Sequence, residues 1–202
     1  MNWLAHLRLA PAAPLVRVGN LAGDFVRGVD TALLHDDVRA GIEQHRAIDR
    51  FVDAHTVVRR ARGRFEPPFR RFAGVLVDVY FDHFLASGWD RFGDGRPLTQ
   101  FVDDVHDLLA RNEAHLPPRL RSVLPWMRRE RWLFEYSTLA GIDAVLERMA
   151  GRVARPTPLA AGGEILRRER AAFAADFDEL WPELERFAAT LSAAHRPGIP
   201  EP

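Results

Sequence analysis

The stretch GVLVDVYFDHFL, residues 74–85, constrains the fold of this chain more than any other. At about 100° per residue it is apolar on every side, with Val75, Leu76, Val77, Val79, Tyr80, Phe81, Phe84 and Leu85 spread round the axis. A helix of that kind has no solvent face, so other elements must enclose it. Asp78 and Asp82 nevertheless stand four apart on one side of it, with His83 next in the chain. Two carboxylates on one side of a buried helix repel each other and are poorly hydrated. Either one takes up a proton or a cation lies between them.

The rest of the pattern is helical too. Apolar residues recur at helical spacing over residues 1–10, closed by Pro11 and Pro14, and over 16–27, closed by Gly28. A long helix is expected over 36–64, with acids at its start, followed by 69–86, 98–115, 119–129, 131–136 and 139–150. The last helix should span 164–195, kinked or divided at Pro182, and residues 88–97 and 152–163 read as loops. No alternating strand pattern of useful length appears. The fold class is therefore all-α: one helical bundle domain over residues 1–195 and a flexible tail over 196–202.

Composition removes several classes of function. The 28 basic residues, all arginine, balance 28 acids, which does not suit a nucleic-acid binder. Without cysteine there is no disulfide and no thiolate ligand, which fits a reducing, cytoplasmic setting. The N-terminus lacks a basic start, and His6 and Arg8 interrupt its apolar run, so it reads as a first helix and not as a signal peptide. No run approaches the roughly 18 apolar residues of a membrane span. No P-loop, dinucleotide fingerprint or nucleophile elbow occurs.

The oddity of residues 74–85 recurs in three more segments. His45 and Asp49 share the apolar side of GIEQHRAIDRFVDAH with Gly41, Ile42, Ile48 and Val52; Asn20 and Asp24 are four apart, as are Asn2 and His6. Helix bundles build metal sites from imidazoles and carboxylates that project inward from facing helices, and such ligands suit manganese, iron, zinc or magnesium. The competing reading is structural ion pairing, with Arg27, Arg46 or Arg50 as counter-charges. Asp53 and His55 sit at the edge of their face, and His35, His106, His115 and His195 receive no role. Arginine runs at 59–64, 70–71, 128–131 and 167–170 are either solvated faces or a docking surface for an acidic or phosphorylated partner.

The blocks MNWLAHLRLA, GNLAGDFVRG, GIEQHRAIDRFVDAH and DVYFDHFLASGW, then RRERWLFEYSTLAGIDAVLERMAGR and FDELWPEL, resemble in order the bacterial acyl carrier protein phosphodiesterases. That resemblance implies a helical organisation like the HD-domain phosphohydrolases. It implies removal of 4′-phosphopantetheine from the serine of holo-acyl carrier protein with a divalent cation, typically Mn²⁺, with Mg²⁺ or Fe²⁺ as alternatives. Carried over by motif, His45, Asp49, Asp82 and Asp78 would ligate the metal. Asp24 would be a further ligand or orient water, His83 or His6 would protonate the departing serine oxygen, and Arg46 would face the phosphoryl oxygens. Asn20, Arg59 and Arg60 would contact substrate, and the acidic carrier protein would dock on the arginine clusters, with neither nucleic acid nor membrane as partner. Within these blocks the adjacent His–Asp pair of the HD pattern appears only reversed, as Asp82–His83. Two rival readings are an HD-type nucleotide or alarmone phosphohydrolase and a non-catalytic helical module with structural ion pairs.

Overall fold

In a computed structural model residues 1–194 are described; His195 and the expected tail lie outside the described residues. The described chain is helical, with no strand. Asn2 caps α1 (Trp3–Leu9) by accepting the Trp3 amide proton at 3.0 Å. Pro14 opens α2 (Pro14–Ala22), where a missing N–H costs nothing. In α3 (Asp36–Ala54), Asp36 and Asp37 lie at the positive end of the helix dipole. Next come α4 (Thr56–Gly63), α5 (Ala73–Ser87), the single turn α6 (Trp89–Phe92) and α7 (Leu98–Arg111). After them run α8 (Pro118–Arg129), the short α9 (Trp132–Glu135), α10 (Leu139–Gly151), α11 (Gly162–Arg168) and α12 (Arg170–Ala194).

The all-apolar segment is the centre, as its pattern requires. α5 packs against α1, α4, α10 and α12, and Leu76, Val77, Val79, Tyr80, Phe81, Asp82 and Leu85 have no solvent exposure. Each such apolar side chain contributes about 1.5–3 kcal/mol by burial. One side is open: Val75 is 42% exposed, and Asp78 lies beside it on a cavity. Polar ties fix the surrounding helices. Asp176, 1% exposed on α12, takes the Arg60 Nε proton at 2.7 Å and pairs with Arg64, joining α4 to α12. Arg8 donates to the carbonyls of Phe92 and Gly93 and to Glu185, joining α1 to α6 and α12.

α2 and α3 cross unusually closely because both carry glycine at the crossing. A Cβ on Gly19 would lie 2.1 Å from the Val38 carbonyl oxygen, and one on Gly41 would lie 2.0 Å from that of Val16. No other residue type fits at either position.

Several expected boundaries move. The 36–64 helix breaks at His55, whose backbone turns extended while its Nδ1 accepts the Val57 amide proton to start α4. The 16–27 helix stops at Ala22 and passes into a 3₁₀ turn over Gly23–Phe25, before Gly28 adopts φ +80°. The last helix divides not at Pro182, which α12 contains, but at Glu169, and α11 reaches back to Gly162. The expected loop over 88–97 contains α6.

Candidate metal centre

Three side chains from two helices converge. Asp49 receives His6 Nε2 at Oδ1 and His45 Nε2 at Oδ2, each at 3.1 Å. The two imidazoles stack with centroids 3.8 Å apart, and donor atoms of His6, His45 and Asp49 all lie within 4.8 Å of one another. The histidines are buried, whereas the Asp49 side chain is 39% exposed and opens the group to solvent.

Local structure explains the convergence. His45 points at Asp49 because they are one turn apart on α3, and its Nδ1 donates to the Asn20 carbonyl at 2.8 Å across the close α2–α3 crossing. Gly23 makes room for the ring, since a Cβ there would fall 2.4 Å from it. His6 is delivered by α1, whose first turn is held by α5: Asp82 accepts the amide protons of Leu4 at 2.8 Å and Ala5 at 3.3 Å. Asp78 meets the Met1 ammonium at 3.1 Å, and that ammonium lies 3.8 Å from Asp49. The two carboxylates on the buried helix thus answer to the N-terminal segment. One meets a cation and the other meets the positive end of α1.

Burial works against a charged His45, but the carboxylates of Asp24 and Asp49 outweigh it and hold its pKa up to about 9. Burial pushes the His6 pKa down, so His6 is neutral beside it. Burial also opposes ionisation of Asp49 and Asp24, yet the histidines hold both below the usual carboxylate range. Burial raises the Asp82 pKa to about 7, although the Leu4 and Ala5 amides favour its charged form. The two nitrogens and the carboxylate suit a first-row divalent ion, and the carbonyl bond at Nδ1 of His45 leaves Nε2 for the ion in exchange for a proton. This His/Asp group could hold a metal ion.

The other expected site residues lie as follows. Asp24 stands at the edge of the group, Oδ1 3.6 Å from His45 Nε2, with Oδ2 accepting the Trp3 indole proton at 2.9 Å. Asp78 and Asp82 are committed to the N-terminal segment and lie outside the His6–His45–Asp49 group. His83 is buried elsewhere, its Nδ1 2.8 Å from the Tyr136 carbonyl oxygen. Asn20 contributes its carbonyl to His45, while its side chain donates to Gln44 at 2.6 Å. Arg46 faces solvent and pairs with Glu43 at 2.6 Å. Arg59 bonds the Ala54 carbonyl, and Arg60 is spent on Asp176 and Glu179. Forward His–Asp pairs do occur, at 35–36 and 106–107, but neither joins the group; His35 caps α3 and His106 is buried in α7. The sequence reading did not single out Trp3, which orients Asp24, or Gly23, which admits the ring.

A cavity of about 210 Å³ adjoins the group, lined by Met1, Asn2, Asp24, Asp49, Asp53, Val75, Asp78 and Met149. No helix among the described residues is long and apolar enough to cross a membrane.

Comparison with known proteins adds to this geometry. Residues 1–184 match the family model described as acyl carrier protein phosphodiesterase. The acyl carrier protein phosphodiesterase of Pectobacterium atrosepticum is 34% identical over 190 residues, covering 94% of this chain and 98% of the relative. That of Photorhabdus laumondii is 35% identical over 182 residues, 90% and 92% of the two chains. That of Yersinia pestis is 37% identical over 163 residues, 81% and 83%. No solved structure matches this chain. With a family match over nearly its whole length and relatives above 30% identity at such coverage, this chain belongs to the acyl carrier protein phosphodiesterase family.

Proposed function

We propose that this protein is a metal-dependent phosphodiesterase that hydrolyses the bond between phosphopantetheine and the serine of holo-acyl carrier protein. The observation that carries the reading is the His6–His45–Asp49 group at an open cavity in a chain of this family. His6, His45 and Asp49 would hold the ion, with Mn²⁺ the first choice and Mg²⁺ or Fe²⁺ tested beside it. When bound there, a divalent cation supplies an activated water at neutral pH and offsets charge on the phosphoryl oxygens. The Asn20 carbonyl fixes the His45 ring, and Asp82 fixes the helix that carries His6. Asp24 is ionised and held by Trp3, so it can take the proton of the attacking water and return it to the serine oxygen as the phosphorus–oxygen bond breaks. Serine and a phosphomonoester result.

The arginine runs remain the proposed docking surface for the acidic carrier protein, although many are already engaged. Arg128 pairs with Asp107, Arg129 with Glu130, Arg131 with Asp103 and Arg167 with Asp143. Exposed pairs of this kind are each worth only about 0–1 kcal/mol, so an acidic partner can compete for them. Docking should weaken with salt. The reaction is proposed for the cytoplasm, which suits the cysteine-free chain.

The test is direct. Holo-acyl carrier protein incubated with the enzyme and Mn²⁺ should lose the mass of the phosphopantetheine arm, and Asp49→Ala should abolish the loss. Intact substrate at high enzyme concentration would sink the assignment.

A further inference from the structure

Beyond Asp24 lies a second cavity, of about 180 Å³, between Trp3, Phe25 and Trp132, with Arg119 and Arg152 in its wall. Asp24 also lines the cavity that holds Asp49, so the two spaces adjoin through one side chain. Trp3 and Trp132 stack here, with centroids 6.0 Å apart and planes 22° from parallel. The two arginines lack the acidic partners that hold Arg128, Arg129, Arg131 and Arg167. The Arg119 side chain makes no hydrogen bond or ion pair among the described residues, and the Arg152 side chain makes only a stacking contact, 5.3 Å from the Trp132 ring. Arg152 is repelled by both Arg119 and Arg148, and the charge of Arg148 is taken up by Glu135. Two guanidinium groups held together without a counter-ion form an arrangement that an anion relieves, and their planar forks match phosphoryl oxygens.

We propose that this cavity is the phosphate subsite of the reaction, in which Arg119 and Arg152 hold the phosphoryl oxygens of the phosphopantetheinyl group. The Trp3–Trp132 wall lies against the first carbons of the arm, and the phosphorus sits at the seam between the cavities, beside Asp24. The proposal rests on the substrate reading above and adds a consequence to it. The diester carries one negative charge and the released monoester about −1.5 to −2. The subsite therefore holds product more tightly than substrate, and inorganic phosphate inhibits the enzyme.

Binding of 4′-phosphopantetheine and of pantetheine, measured by calorimetry with Mn²⁺ present, separates the outcomes. Arg119→Gln and Arg152→Gln should each weaken phosphopantetheine binding by about tenfold or more, because each removes charged hydrogen bonds. Pantetheine binding and metal content should not change, and Arg111→Gln, outside the cavity, should match the wild type. The Arg119 guanidinium makes no hydrogen bond or ion pair within the fold, so a defect in its variant does not report misfolding. Unchanged phosphopantetheine binding in Arg119→Gln overturns the subsite, as does an equal loss for pantetheine. Arginine-dependent phosphopantetheine binding by a protein that leaves holo-acyl carrier protein intact would support the subsite and remove the reaction. Wild-type hydrolysis by Arg119→Gln, with phosphate inhibition unchanged, would do the reverse.

Discussion

Replacing Gly41 by alanine should loosen the metal centre without touching any of its ligands. The added Cβ would fall 2.0 Å from the Val16 carbonyl oxygen and 2.8 Å from both the Asn20 nitrogen and the Gly19 Cα. Carbon atoms in contact prefer separations of about 3.5–4.0 Å, so α3 must retreat from α2 by at least about 1 Å. The same movement stretches the 2.8 Å bond from His45 Nδ1 to the Asn20 carbonyl past the limit of about 3.5 Å. Overpacking costs about 1–3 kcal/mol, a broken buried hydrogen bond about 1–3 more, and alanine returns up to about 1 through helix propensity. The net loss is about 1–6 kcal/mol, and it should fall in the upper half because the opposing atoms are backbone and cannot swivel away. An outer-shell support of this kind typically carries about 10–100-fold in metal affinity. Urea unfolding measures the first quantity, and Mn²⁺ titration of the folded variant measures the second. Gly151→Ala is the control: its Cβ meets nothing within 4 Å, so stability should hold or rise. A Gly41→Ala protein as stable as the wild type, with unchanged Mn²⁺ affinity, would refute the argument that the close crossing sets the His45 ring.

Asp82→Ala leaves the Leu4 and Ala5 amides buried without partners, which should cost about 2–5 kcal/mol in urea unfolding and weaken metal binding through His6. A loss in metal affinity alone, at full stability, would instead favour a ligand role for this carboxylate. The His45 proton, held to about 9, stabilises the metal-free fold below pH 6.5, and that contribution is lost as pH rises through 9. Metal uptake at pH 7.5 should accordingly release about one proton per ion, seen as a buffer-dependent heat in calorimetry; a heat independent of buffer would contradict the ligand assignment. Burial, with Arg128 nearby, lowers the His106 pKa to about 4, so this ring is neutral in the fold and protonates only on unfolding between pH 6.5 and 4. Stability lost over that range should be about 3 kcal/mol smaller in His106→Leu than in the wild type, and equal pH slopes would show that His106 is not the titrating group.

The outline of this fold was legible because burial leaves a periodic trace. A segment apolar on every side has to be central, and α5 is. His45 and Asp49 were legible for the same reason, since one turn of helix guarantees that they face the same way. What the sequence concealed is how one helix meets another. At residues 74–85 the spacing correctly marked Asp78 and Asp82 as carboxylates in need of partners, but it could not distinguish a metal from a helix end. The amides of Leu4 and Ala5 supply that end, 77 and 78 residues away in the chain. Asp24 was placed on a helix by its four-residue distance from Asn20, whereas the turn at Gly23 carries it toward Trp3 and the edge of the group.

Arginine carries the least information of all in this sequence. Arg60, in the densest run, crosses to a buried aspartate on α12, while Arg119, at the start of α8, and Arg152, just past α10, are among those without an acidic partner. A run raises the local density of positive charge, but the acids that neutralise it come from other helices, and their approach is decided by packing. Residual charge, the quantity that attracts an anionic ligand, therefore appears only once the fold has assigned each acid to its base. In this protein that assignment leaves two unmatched guanidinium groups in the cavity that Asp24 lines, one side chain away from the histidines.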